Sequence, residues 1–148
     1  MQLFAALNTL TGKVVGLLRR RKRQIEFIEL LEAIEAQADS GVTSIHLICD
    51  NISIHKGKLV RAWLERHPRF QMHFTPVHCS WMNQVEQWFS ILQRKRLTAP
   101  NFANLDALEE RVLAFIDEWN DCAHPFHWTT KSFDKILVKI DLALATTA

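Results

Sequence analysis

A repeated change of hydrophobic period is the strongest constraint on how this chain can fold. Gln2–Asn8 and Val14–Leu18 are short apolar runs on either side of Thr9–Lys13, where Gly12 suits a tight turn, so they predict a β-hairpin. From Gln24 the period becomes helical. Ile25, Ile28, Leu31 (with Leu30) and Ile34 recur on one face, while Glu26, Glu29, Glu32 and Glu35 take another, read here as a solvent face; Asp39-Ser40-Gly41 is the expected stop. Thr43–Cys49 (TSIHLIC) is a short, mostly apolar run ending at Asp50, the pattern of a buried parallel strand. A second helix is expected over Lys58–His67, before Pro68, and Phe70, Met72 and Phe74 alternate as a further strand. After Pro76 a polar stretch runs to about Trp81, followed by a helix from about Asn83 to Lys95 with a core stripe of Met82, Val85, Phe89 and Leu92. Leu105–Asn120 is amphipathic, and Ser132–Leu144 reads as a last short helix. The order β-β-α-β-α-β-α-α-α is mixed α/β, with antiparallel strands first and parallel ones after.

Composition narrows the class. At 148 residues the chain suits one domain; 48% apolar content with a net charge of +2 excludes a disordered chain. No apolar run approaches the roughly 18 residues of a membrane helix, so no membrane partner is expected. Cys49, Cys79 and Cys122 are too few and scattered for a disulfide framework, which makes the cytoplasm the expected compartment. The small net charge hides segregation. Lys13 and Arg19–Arg23 make the first 25 residues basic and acid-free; residues 26–50 hold six acids and no Lys or Arg. Residues 51–105 hold eight bases against Glu65 and Glu86 alone, which suits a polyanion such as nucleic acid, while the last stretch is acidic.

The residue types that carry chemistry converge on two carboxylates. Asp50 stands at the carboxyl end of a strand, where ligand sites of α/β sheets gather. Glu86 lies in the first turn of a later helix, beside Asn83, and the helix, strand and loop between them can return the chain to the strand end. A pair of hard oxygen ligands suits Mg²⁺ (or Mn²⁺). Taken singly, such an Asp is more often a turn former and such a Glu a partner of the helix dipole. Around them, Lys56 beside His55 could meet a phosphate and Trp81 could stack on a base, while Arg19, Arg20, Arg21, Lys22 and Arg23 suit non-specific phosphate contact. The seven histidines and three cysteines lack paired C-x₂-C spacing, so zinc is not expected.

HLICDNISIHKGKLVRAWL and QMHFTPVHCSWMNQVEQWFSILQRK, with Asp50-Asn51, His55-Lys56, and an Asn83-x-x-Glu86 motif followed by Trp88, resemble the catalytic core of DDE transposases. The resemblance is to the bacterial insertion-sequence branch of the mariner-like superfamily; FAALNTLTGKVVG and PFHWTTKSFDKIL extend it over nearly all of the chain. It implies an RNase H-like mixed sheet flanked by helices, and Mg²⁺-dependent cleavage and strand transfer of transposon-end DNA. The implied site holds three carboxylates: an early Asp and the counterparts of Asp50 and Glu86.

The chain departs from that pattern where the first Asp is expected. Its first acidic residue is Glu26, in the helix after the hairpin, and the strand ending at Asn8 matches the family's second strand. A helix-turn-helix region before the core is not found either. The expectation is a partial catalytic domain over residues 1–148, lacking the central strand between the hairpin and Ser44–Cys49 and inactive alone. Either the flanking strands pair directly or their edges stay open to another chain. The alternatives are a nucleic-acid-binding or oligomerising remnant that joins full-length transposase, or the downstream half of a split transposase completed by an N-terminal fragment. The expected setting is bacterial cytoplasm, at the nucleoid when DNA is bound.

Overall fold

The computed structural model describes residues 1–76, 84–97 and 103–124. The helix expected over Ser132–Leu144, with Met82, lies outside them. The chain opens with strands β1 (Gln2–Leu7) and β2 (Val14–Arg19), paired antiparallel with Gln2 opposite Arg19 and Leu7 opposite Val14. Gly12 turns the chain with φ +76°, and its N–H donates to the Asn8 carbonyl at 2.7 Å. Alternation gives the hairpin two apolar faces, because successive side chains of a strand point opposite ways. Phe4, Ala6, Val15 and Leu17 face one core, and Leu3, Ala5, Leu7, Val14 and Leu18 face the other.

Helix α1 (Gln24–Gln37) covers the first face with Phe27, Leu30 and Leu31. Most of the expected stripe is in the core, with Leu30 and Leu31 buried and Ile28 and Ile34 packed against them, but Ile25 is exposed, Phe27 is buried in addition, and Glu26, expected in solvent, is buried. Glu26 is accommodated because its carboxylate accepts the Arg23 backbone N–H at 2.9 Å and the Arg23 guanidinium at 2.6 Å. The remaining acids are not a plain solvent face either, since Glu29 pairs with Arg19 and Glu35 with Arg69. The helix stops at Gln37, before Gly41. Arg69 donates to the carbonyls of Asp39 and Val42, which holds the following turn in place.

Strand β3 (Ile45–Cys49) leads through a 3₁₀ turn at Ser53–His55 into α2 (Lys58–Glu65) and then β4 (Phe70–Phe74), which pairs parallel to β3. Ile45, Leu47, Cys49, Phe70 and Met72 join the α1 core together with Val60 and Trp63 of α2. Helices α3 (Val85–Leu92) and α4 (Leu105–Asp121) cover the other face of the hairpin through Trp88, Leu92, Val112, Phe115 and Ile116. On α3, Trp88 rather than Phe89 is the fully buried anchor, and α3 continues into a wider helical turn at Gln93–Leu97. Asn120 of α4 fastens the two layers by accepting from the Val14 N–H at 2.7 Å and donating to its carbonyl at 2.8 Å.

The described residues thus form a mixed α/β fold, but not one sheet. The hairpin and β3–β4 are separate two-stranded sheets. Strands β1 and β3 nonetheless bury side chains in the same core, Phe4 and Ala6 from one and Ile45, Leu47 and Cys49 from the other. Of the two outcomes expected for these strands, direct pairing is not the one observed.

Candidate active site

The site grows from the carboxyl end of β3. The parallel ladder continues one step past the strands, with the Thr75 N–H donating to the Cys49 carbonyl at 2.9 Å, so Asp50 leaves a fixed edge. Behind it, the His55 ring lies 4.3 Å from the Phe27 ring, and its Nδ1 is 2.8 Å from the Asp50 carbonyl oxygen. Burial pushes the His55 pKa down, against the raising effect of its bond to the Asp50 carbonyl. A largely neutral imidazole therefore braces the loop that follows Asp50. The Asp50 side chain is half-buried, and its Oδ1 is fully buried with no hydrogen-bond partner among the described residues. Unpartnered buried oxygens are uncommon because losing water without a replacement donor is costly.

Glu86 occupies the first turn of α3. Its carboxyl is held above the ordinary range, first by burial and then by the negative charge of Asp50, while Lys22 acts in the opposite sense. The fold thus brings Asp50 and Glu86, separated by 35 intervening residues, within electrostatic reach of each other and of Lys22. Gln84, two residues earlier at the helix cap, also has a buried oxygen without a partner among the described residues. Sequence reasoning did not single out Gln84 or the bracing role of His55; a polar residue two positions before Glu86 was the available signal for the first.

The remaining expected contact residues separate. Lys56 Nζ stands 5.0 Å from the centre of the Phe74 ring, near the matching end of β4. Within the basic run, Arg19 and Arg23 are engaged by Glu29 and Glu26, leaving Arg20 and Arg21 exposed alongside Lys22. Asn83 and Trp81 lie outside the described residues. Among the described residues no group of three or more His, Cys, Asp or Glu is placed to hold a metal ion, and no helix is long and apolar enough to cross a membrane.

The family model described as "DDE superfamily endonuclease" matches residues 1–109, spanning both carboxylates. The chain belongs to this superfamily. Within it the chain falls in the insertion-sequence branch, related to IS630 and the mariner-like transposases. It is 37% identical over 90 residues to the "Insertion element IS630 uncharacterized 39 kDa protein" of Shigella sonnei. That match takes in 61% of this chain and 26% of the relative, so the chain spans about a quarter of the relative's length. No solved structure matches the chain. DDE superfamily nucleases typically work with divalent metal ions.

Proposed function

We propose that the chain is a partial DDE catalytic domain whose Asp50 and Glu86 are two of the three carboxylates of a Mg²⁺ (or Mn²⁺) site for cleavage and strand transfer of transposon-end DNA. The observation that carries this reading is the buried Asp50 Oδ1, unpartnered among the described residues, within electrostatic reach of a second carboxyl whose proton affinity burial and the Asp50 charge both raise. Such a donor set fits a hard divalent cation, which needs anionic oxygens free of competing donors. When bound, the cation would orient phosphate and activate the attacking hydroxyl. The chain's own residues supply the setting: the β3 end and His55 fix Asp50, the first turn of α3 positions Glu86, and Arg20, Arg21, Lys22 and Lys56 offer cationic contacts to the DNA backbone. Asn83 and Trp81 are proposed DNA contacts by their place in the motif.

Among the described residues no third His, Cys, Asp or Glu joins Asp50 and Glu86 in a group placed to hold a metal ion. Glu26 and Glu29, the first acids of the chain, are committed to Arg23 and Arg19. The isolated chain is accordingly inactive in strand transfer. The two separate sheets sharing one core favour a second element of the reading: a strand from full-length transposase or an N-terminal transposase fragment completes the fold between β1 and β3 and brings the missing Asp.

Mn²⁺ titration followed by calorimetry tests the half-site. Binding weakened in both Asp50→Ala and Glu86→Gln supports it; equal binding by the parent and both variants refutes it. Cleavage and joining of transposon-end DNA by the chain alone, with Mg²⁺, would overturn the claim of inactivity. Salt-sensitive DNA binding without any metal effect would instead identify a nucleic-acid-binding remnant.

A further inference from the structure

The outer face of the β3–β4 sheet carries a feature that the carboxylate site does not use. The register places Ile48 opposite His73 and His46 opposite Gln71, so His46 and His73 are diagonal neighbours on adjacent strands. Both are exposed, and Ile48 between them is 56% exposed. His46 Nδ1 and His73 Nε2 are 2.9 Å apart, with the rings 5.2 Å between centres and 25° from parallel. We propose that His46 and His73 form a two-histidine chelate for one transition cation of the class that favours imidazole: Zn²⁺, Ni²⁺ or Cu²⁺.

The geometry suits one ion. With metal–nitrogen bonds of about 2.0–2.1 Å, two ligands at a right angle lie roughly 2.9 Å apart and two at the tetrahedral angle roughly 3.3 Å apart. The observed 2.9 Å falls at the lower end of that span, so the nitrogens need part by no more than about half an ångström. Each ring must also turn so that the two lone pairs converge on the ion rather than on each other, a rotation open to exposed side chains. The hydrogen between the nitrogens presents no obstacle. The ring that carries it shifts it to its other nitrogen through solvent, leaving two neutral imidazoles with free lone pairs and no net proton loss. Water completes the coordination, since two protein ligands leave the site open. This site differs from the closed structural zinc site that the cysteine and histidine spacing did not lead one to expect, because its ligands come from two strands 27 positions apart in sequence and meet only through the parallel register. A bound cation would clamp β3 to β4 on the strand that leads into Asp50.

The test is calorimetric titration of the untagged full chain with Ni²⁺, an ion better matched to imidazole than to the carboxylate pair. The expected result is a single site weakened by about a hundredfold in His46→Ala and in His73→Ala, the scale on which a second tethered ligand adds to a first. The Asp50→Asn/Glu86→Gln double variant should keep the parent affinity, which separates this site from the carboxylates. Excess Ni²⁺ should raise the thermal midpoint of the parent and not of either histidine variant, because a ligand that binds the native state stabilises it. Absence of Ni²⁺ binding by the parent, or equal affinity in parent and histidine variants, would leave a plain hydrogen bond between the two rings and overturn the proposal.

Discussion

Trp88 offers the sharpest test of how the Glu86 helix is held. It lies two residues after Glu86 on α3, is completely buried, and packs against Phe89 and Phe115 with ring centres 5.4 and 5.9 Å away. Its indole N–H, however, finds no acceptor among the described residues. Two substitutions separate these contributions. Trp88→Ala removes the ring and leaves a cavity, at a cost of about 3–5 kcal/mol. At about 3 °C per kcal/mol for a domain near this size, the thermal midpoint should fall by roughly 10–15 °C. Trp88→Phe surrenders part of the apolar area, on the order of 1–2 kcal/mol at ~25 cal/mol per Å². It also removes a buried unpaired donor whose desolvation costs about 1–3 kcal/mol. The two nearly cancel, so the phenylalanine variant should lie within about 1 kcal/mol of the parent. Urea unfolding followed by far-ultraviolet circular dichroism reads both values. A phenylalanine variant as unstable as the alanine variant would show that the N–H is satisfied in the folded protein. An alanine variant within about 1 kcal/mol of the parent would refute the anchoring role itself.

Further outcomes follow from other parts of the fold. The Glu26 carboxyl is held below its ordinary value of 4.5, chiefly by the Arg23 hydrogen bond, so its contribution is present above that value and lost as pH falls through and below it. Glu26→Gln should therefore lower the thermal midpoint at pH 7 and differ little from the parent near pH 2; an equal loss at both would sink the ion-pair account. Gly12→Ala places a Cβ on a residue at φ +76° and against the His124 backbone, which should cost more than about 1 kcal/mol in chemical unfolding. Replacing Arg20, Arg21 and Lys22 together by Ala should weaken DNA binding uniformly across sequences and flatten the slope of log affinity against log salt by up to about 3; an unchanged slope would remove this run from the interface. Burial, with the charge of Asp50, pushes the Cys49 thiol up to about 12, whereas Cys122 is exposed. In a Cys79→Ser background at pH 8, iodoacetamide should label Cys122 rapidly and Cys49 only on unfolding, as peptide mass mapping would show.

Much of the local structure was legible because it depends on local periodicity. The hairpin, the strand ending before Asp50 and the parallel pairing of β3 with β4 arise where expected, within two residues of the boundaries set by alternation and by Pro68. Which helical stripe is buried was less legible. Between residues 25 and 35 the expected stripe is largely kept, but packing Phe27 beside Leu30 and Leu31 leaves Ile25 exposed and turns Glu26 inward. The basic run shows the same limit: composition counts five cations, but two of them are taken by glutamates of α1.

The sequence by itself determined the family-bearing pair, Asp50 and Glu86, and the order of strands and helices that returns one towards the other. These follow from residue type and period, which act over a few positions of the chain. Tertiary structure alone decided that Asp50 keeps a buried oxygen without a donor, that His55 braces it, and that His46 meets His73. It also decided that two sheets share one core without joining. Each of these depends on desolvation and on distances between residues remote in the chain, which no local pattern encodes.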